Sequence, residues 1–201
     1  MKNTATVAMH PETRTPFLEA MIPVYLYPFL LTTTQTSAFE QLRHTCLGVI
    51  STLLKNNDRS VVELLLTTNF LPHCYTSIEF GGKMTKALGV YILDKIIFED
   101  WGLTTICRVP FRLSPCIITL NNLITSLAGY PRPCSLILRH VVRCYVGLAR
   151  NKSAREALRR DPPFQLTDGT FLDWLEGDWD TKILLHQLLE ILVTPEVPTT
   201  I

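Results

Sequence analysis

Three apolar stretches of the sequence each end in a short cluster of Asn and Asp residues, and this recurrence limits the fold more than any other feature. The clusters contain Asn57, Asp100 and Asn151, at intervals of 43 and 51 residues. A second, shorter segment rich in leucine, isoleucine or alanine follows each cluster. Intervals of this size are typical of armadillo and HEAT repeats, whose units contain two or three helices. Short polar side chains at the junctions are suited to capping the helix that follows.

Helical periodicity is clearest in the segment LRHVVRCYVGLARNKSAREALRR, residues 138–160. Apolar residues recur there at spacings of three and four from Leu138 to Leu148, as on a helix with one buried face. The sequence has no sustained two-residue alternation bounded by hairpin turns, so strands are not expected. We therefore predict an all-α fold, a right-handed armadillo/HEAT-like helical-repeat solenoid in which each unit buries its apolar faces against its neighbours.

The length and composition suit a single domain. The chain has 201 residues, of which 47% are hydrophobic and 18% are charged, so a folded core is expected. We assign residues 1–194 to one armadillo-like repeat domain and residues 195–201 to a flexible tail. The amino-terminal stretch MKNTATVAMHPETR lacks the apolar segment of a secretory signal, and the run AMIPVYLYPFLL is too short to cross a bilayer. A soluble intracellular protein without membrane contact is the expectation.

Catalytic and metal-binding patterns are weak in this sequence. The six cysteines form no CxxC pair, and reduced thiols in the core are favoured over disulfides or metal ligands. No phosphate-binding loop, GxSxG, HExxH or kinase motif is present. His140 lies four residues before Cys144, so the two could interact on a helix, but no third orienting group accompanies them. We expect both residues to be structural, and we expect neither an enzyme nor a cofactor or metal.

Charge is distributed very unevenly along the chain. Residues 108–160 contain ten Lys or Arg and one acid, whereas the rest contains nine basic and seventeen acidic residues. A basic surface that attracts phosphates or acidic peptides is one interpretation. The alternative is a solvated face that is partly paired with the acidic regions. The candidate basic surface consists of Arg139, Arg143, Arg150, Arg155 and Arg159. No RNA-recognition motif accompanies it.

Several blocks of sequence together resemble the Rcd family of cell-differentiation proteins. They are HPETR, MIPVYLYPFL, FEQLRHTCLGVISTLLK, VVELLLTTNFLP, HVVRCY and AREALR, and the resemblance runs from Val7 to Val193. It implies an armadillo-repeat subunit of the CCR–NOT deadenylase assembly. The implied role is a non-catalytic adaptor in mRNA deadenylation, mRNA turnover and translational repression. The implied location is the cytoplasm, including P-bodies, with the nucleus as a further location.

The resemblance also implies partners and binding sites. The partners are the Not scaffold subunit, recruiter proteins that present short peptides, and silencing proteins with glycine-tryptophan repeats. The concave peptide groove falls at Gln41, Gly48 and Leu88, where the family usually has Tyr in place of Gln41. The tryptophan pockets fall around Arg112 and Ala157. From the residues alone, Gly48 and Ala157 are equally well explained by tight helix packing.

The resemblance begins inside what is a middle repeat of the family, so the family's first repeats are missing from this sequence. Much of the expected contact with the scaffold subunit lies there. We also expect an exposed apolar face near Phe17, Ile22 and Tyr25, because solenoids need capped ends. Two alternative functions stay open: a nucleic-acid-binding helical repeat protein that uses residues 108–160, or a paralogue that competes for recruiter peptides outside the complex.

Overall fold

The computed structural model describes residues 11–130 and 134–193, and the secondary structure in these ranges is helical throughout. The α-helices are α1 Pro11–Glu19, α2 Tyr27–Leu30, α3 Ser37–Leu53, α4 Arg59–Thr67, α5 Leu71–Phe80, α6 Lys83–Phe98, α7 Asp100–Cys107, α8 Pro110–Ala128, α9 Ser135–Ala149, α10 Lys152–Arg160, α11 Phe164–Thr167 and α12 Trp179–Val193. Short 3-10 helices occupy Ile22–Leu26, Leu54–Asn56 and Asp173–Leu175. The prediction of an all-α fold is confirmed. The predicted tail, 195–201, lies outside the described residues.

Four long helices form a continuous row through the molecule. Helix α6 packs beside α3 on one side and α9 on the other, and α9 packs in turn beside α12. The remaining helices, which include the 19-residue α8, connect these and pack among themselves and against the row, as α4 does with α7 and α5 with α8. Each helix of the row is preceded along the chain by two further α-helices, which is the organisation of a three-helix repeat.

The core follows the predicted helical stripe. In α9 the side chains of Leu138, Val141, Val142, Tyr145 and Leu148 are completely buried. Because they recur every three or four residues they share one face of the helix. That face is sandwiched between α6 and α12. Complete burial stabilises each aliphatic side chain by about 1.5–3 kcal/mol relative to exposure, so this stripe is a major reason why α9 lies at the centre of the row.

Residues at the polar junctions cap the helices that follow, but at two of the three junctions the cap is the neighbour of the predicted residue. Asn151 is the N-cap of α10, and its Oδ1 accepts hydrogen bonds from the amides of Ser153 and Ala154. At the other two junctions the caps are Asp58 for α4 and Glu99 for α7, each beside the residue that the spacing had aligned. A cap must stand one residue outside the first helical turn, so a shift of one position decides which side chain reaches the free amides.

All six cysteines are free thiols, and five of them are buried. Burial raises the pKa of Cys46 and of Cys107 to about 11 and that of Cys116 to about 12. Thiols with such pKa values are protonated at neutral pH and poorly nucleophilic. The prediction of core thiols is confirmed for these five cysteines, whereas Cys134 is half-buried at the edge of the core.

The apolar surface near the first described helices differs from the expectation in one residue. Tyr25 is 71% exposed, as expected, and Ile22 is half-buried. Phe17, in contrast, is only 7% exposed, because it packs into the core instead of facing solvent.

Within the described part of the chain, no single helix is long and apolar enough to cross a membrane. One pair, α7 with α8, meets the length and hydropathy criteria only when its two helices are taken together across a bend of 103°. Among residues 11–130 and 134–193 no group of three or more His, Cys, Asp or Glu side chains is arranged to hold a metal ion.

Candidate peptide-binding surfaces

The three groove residues predicted from the resemblance lie on two adjacent long helices. Gln41 and Gly48 are in α3, and Leu88 is in α6. The two helices are joined at one end by Glu40, whose Oε1 accepts hydrogen bonds from the Gly82 amide at 2.9 Å and from Thr85 Oγ1 at 2.6 Å. The structure thus brings the elements of the predicted groove side by side.

Gly48 borders open space. A Cβ atom built on Gly48 has no heavy atom within 4 Å, whereas one on Gly89 meets Ile78 Cγ1 at 2.6 Å and one on Gly147 meets Ile97 Cγ2 at 2.6 Å. Tight helix packing therefore explains Gly89 and Gly147 but not Gly48. The interpretation of Gly48 as a packing glycine is wrong, and the helix surface there is accessible to another molecule.

Leu88 belongs to a stripe along α6 that continues onto α9. Leu88 is half-buried, and Met84, one turn before it, is 62% exposed. One turn after Leu88, the Tyr91 ring makes an edge-to-face contact with the imidazole of His140 in α9, with ring centroids 5.3 Å apart. Lys95 Nζ lies 5.7 Å from the centroid of the Tyr91 ring. The stripe thus combines exposed apolar surface with aromatic and cationic groups.

Asp94 fixes the polar side chains at the boundary between α6 and α9. Its carboxylate is 3% exposed, and Oδ2 accepts hydrogen bonds from His140 Nδ1 at 2.9 Å and from Arg143 Nε at 2.8 Å. A buried carboxylate needs such donors, because an unpaired buried charge is strongly destabilising. His140 therefore pairs with Asp94, while the Cys144 thiol points to the Val90 carbonyl at 3.9 Å.

The structure has an apolar cavity at Arg112, hereafter the Arg112 cavity. It lies between the end of α4, the start of α5 and the first turns of α8, and its volume is about 360 Å³. Its walls include Leu66, Leu71, Pro72, Phe111, Arg112 and Pro115. Phe111 is 78% exposed. A mostly apolar hollow with a cation at its edge is suited to an aromatic side chain.

Tyr75 also lines the Arg112 cavity. Its hydroxyl is buried and lies close to the thiol of Cys116. Burial raises the pKa of Tyr75 well above its ordinary value, and the neighbouring thiol of Cys116 adds to the shift. The hydroxyl is therefore neutral, so this wall of the cavity carries no charge.

Ala157 lies apart from the Arg112 cavity. It is half-buried in α10, between the buried residues Ala154 and Leu158. It is not one of the residues that line the cavity at Arg112. A second tryptophan pocket at Ala157 stays a prediction.

The arginines of the candidate basic surface contact other parts of the fold. Arg139 Nη2 lies 3.0 Å from Asp178 Oδ2, Arg143 pairs with Asp94, and Arg150 pairs with Asp100. Arg139 and Arg143 thus connect α9 to the residue before α12 and to α6, whereas Arg150, which directly follows α9, pairs with the first residue of α7. The first two ion pairs link neighbouring repeats, and the third lies within one repeat.

The remaining two arginines of that surface donate to backbone carbonyls. Arg155 Nη1 donates to the Ala149 carbonyl at 2.8 Å, and Arg159 Nη2 donates to the Ile191 carbonyl at 2.8 Å. Both carbonyls lie in the last turn of a helix, where such groups lack an intrahelical donor and attract cations. A role for these arginines in binding phosphates stays a prediction.

Three contributors to these surfaces were not predicted. Asp94 could have been noticed as a lone acid in the apolar run VYILDKII, where a buried carboxylate implies partners. Phe111 and Tyr75 give no such signal, because the Arg112 cavity depends on how α4, α5 and α8 pack together.

The sequence was compared with known proteins. Residues 4–192 match the family described as "Cell differentiation family, Rcd1-like". The chain is 42% identical to the cell differentiation protein rcd1 of Schizosaccharomyces pombe over 183 aligned residues. The aligned region covers 91% of this chain and 64% of that protein. It is 39% identical to Protein CAF40 of Saccharomyces cerevisiae over 183 aligned residues. That aligned region covers 91% of this chain and 49% of the yeast protein. The chain thus spans less than two thirds of the length of these relatives.

Proposed function

Because the chain belongs to the Rcd1-like cell differentiation family, we propose that it is a non-catalytic adaptor of the CCR–NOT deadenylase assembly. In this role it acts in mRNA deadenylation, mRNA turnover and translational repression. It works in the cytoplasm, including P-bodies, and in the nucleus. Its partners are the Not scaffold subunit and the recruiter and silencing proteins that present short peptide or tryptophan motifs.

The observation that carries this proposal is the Arg112 cavity. It lies at a residue that the family resemblance assigns to a tryptophan pocket, and its volume of about 360 Å³ falls within the range of about 300–1,000 Å³ typical of ligand sites. Leu66 and Leu71 supply apolar walls. The guanidinium of Arg112 can stack over an indole, which is the aromatic ring that binds cations best.

The open face of α3 and α6 supports a second contact with recruiter peptides. Gly48 leaves open space on α3, and Leu88 and Met84 supply apolar surface on α6. An amphipathic helix docks on such a surface by burying its own apolar stripe. This arrangement binds a peptide and requires no bond to be made or broken.

The tryptophan pocket is tested by titrating the full chain with a peptide that contains one tryptophan, and with the same peptide carrying alanine instead. Arg112→Ala should weaken binding of the tryptophan peptide about threefold or more. Since Arg112 forms no ion pair with a described residue, helicity should be unchanged. Lys55→Ala, at an exposed site remote in sequence, is the matched control. Equal affinity for the tryptophan and alanine peptides would refute the pocket.

Membership of the complex needs a separate measurement. Co-precipitation of the full chain with a fragment of the Not scaffold subunit, at micromolar concentrations, should show binding. If the chain binds tryptophan peptides but not the scaffold fragment, it is a paralogue that competes for recruiter peptides outside the complex. That outcome would refute the adaptor role while retaining the pocket.

A further inference from the structure

We propose that the Arg112 cavity selects a tryptophan whose neighbouring residues in the partner are acidic. This preference rests on the proposed function and goes beyond it, because it specifies the charge of the partner segment and the residues that recognise that charge. Those residues are Arg112, the cation that lines the cavity, Phe111, which supplies its exposed aromatic edge, and Arg108, four residues before Arg112 in the chain.

Arg108 and Arg112 differ from the three ion-paired arginines described above because their own charges have no carboxylate partner. Neither forms an ion pair with a residue in 11–130 or 134–193. Arg108 is exposed and immediately precedes Val109, the N-cap of α8, so it lies within a few residues of Phe111. Arg112 lies in the first turn of α8 and lines the cavity.

No acid is available nearby in the sequence to neutralise these two cations. Residues 101–155 contain neither Asp nor Glu. Arg112 is the single formally charged residue among those that line the cavity. A partner with acidic residues at this position gains a complementary charge contact.

Phe111 marks the point where the partner enters the cavity. An aromatic side chain that is 78% exposed at the edge of an apolar hollow is a typical anchor in protein interfaces. With the indole inserted between the aliphatic walls, the residues before and after it pass over Phe111. They then reach the guanidinium groups of Arg108 and Arg112.

Single-stranded nucleic acid is a different partner with negative charge, and the cavity is less suited to it. Proteins that bind single strands offer successive aromatic platforms along a basic groove. The cavity has one exposed aromatic ring, Phe111, and its remaining walls are mainly leucine and proline side chains. An acidic peptide with a tryptophan anchor fits these walls better.

The test uses three fluorescent peptides of equal length and the full chain. In the first, the tryptophan is flanked by glycine and serine; in the second, by aspartate; the third is the aspartate peptide with alanine in place of tryptophan. At low salt the aspartate-flanked tryptophan peptide should bind about fivefold to tenfold more tightly than the neutral one, since each exposed charge contact contributes about two- to fivefold. At about 0.5 M salt the two should bind equally.

Arg108→Gln separates the charge contact from the cavity itself. This variant should weaken binding of the aspartate-flanked peptide about two- to fivefold and leave the neutral tryptophan peptide unchanged. Unchanged affinity for the neutral peptide also shows that the variant is folded. Phe111→Ala, in contrast, should weaken both tryptophan peptides by the same factor, and Lys55→Gln, at an exposed and remote site, should weaken neither.

The possible results distinguish this inference from the proposed function. Equal affinity for the neutral and acidic tryptophan peptides at low salt would overturn the charge preference and retain the tryptophan pocket. Failure of both tryptophan peptides to bind would overturn the pocket and the preference together. Displacement of the acidic peptide by single-stranded RNA, combined with equal binding of the alanine peptide, would assign the site to nucleic acid instead.

Discussion

Replacing Gly48 by alanine should stabilise the protein, although most substitutions within a helix of the core row destabilise it. Glycine inside a helix destabilises it by about 0.5–1 kcal/mol relative to alanine, because the unfolded glycine has more backbone freedom to lose. A Cβ atom at Gly48 meets no heavy atom within 4 Å, so no packing penalty opposes this gain. We expect the free energy of unfolding to rise by about 0.5–1 kcal/mol and Tm to rise by about 1–4 °C.

Two other glycines of the row provide matched controls. A Cβ at Gly89 would lie 2.6 Å from Ile78 Cγ1, and one at Gly147 would lie 2.6 Å from Ile97 Cγ2. The same change to alanine therefore forces a buried isoleucine to move, which destabilises by about 1–3 kcal/mol. Urea unfolding, monitored by circular dichroism, gives the free energy of unfolding of all three variants. The values can be compared directly if the variants share the same dependence of free energy on urea concentration.

The same open space permits a functional test at Gly48. Gly48→Trp places an indole on the face of α3 that is predicted to line the groove. The fold should be retained, because a Cβ at this position meets no heavy atom within 4 Å and tryptophan is a moderate helix former, but recruiter-peptide affinity should fall at least tenfold. If Gly48→Ala is less stable than the unmodified protein, the interpretation of Gly48 as an open position is wrong. If Gly48→Trp binds recruiter peptides with full affinity, Gly48 does not line the groove.

Three further outcomes follow from the structure. Leu88→Glu should abolish binding of recruiter peptides, measured by titration, while circular dichroism shows unchanged helicity. Asp94→Asn should lower the free energy of unfolding by about 1–3 kcal/mol in urea, because the buried acceptor loses its charge. Burial alone raises the pKa of Asp178, but hydrogen bonds from Thr181 and the pair with Arg139 outweigh burial and hold the pKa below its ordinary value of 3.8. The stability that Asp178 contributes is therefore fully present at neutral pH and is lost as the pH falls through this low pKa, and Asp178→Asn should remove that part of the acid dependence of unfolding.

The helices could be predicted because their signals are local. The stripe from Leu138 to Leu148 predicted α9, and the structure places this helix at Ser135–Ala149. Asn151 was predicted as a junction residue and caps α10. Both predictions depend on spacings within a few residues, where the geometry of one helix decides the outcome.

The surfaces could be predicted only in part because they depend on long-range packing. Gly48 and Gly89 look alike in sequence, since each lies inside a long apolar helix. They differ because Ile78, on α5, fills the space beside Gly89, whereas no such side chain reaches Gly48. The Arg112 cavity likewise exists because α4 and α5 meet the first turn of α8.

Charge counted along the sequence is a poor guide to the charge that a partner meets in this fold. Arg139 and Arg143 belong to the most basic part of the chain, yet their partners, Asp178 and Asp94, come from its acidic remainder, 39 and 49 residues away. This part of the positive charge thus joins one repeat to the next. Positive charge that is not used in this way lies at the start of the basic segment, on Arg108 and Arg112, since neither forms an ion pair with a described residue. There it adjoins an apolar cavity, so attraction and anchoring act at the same place.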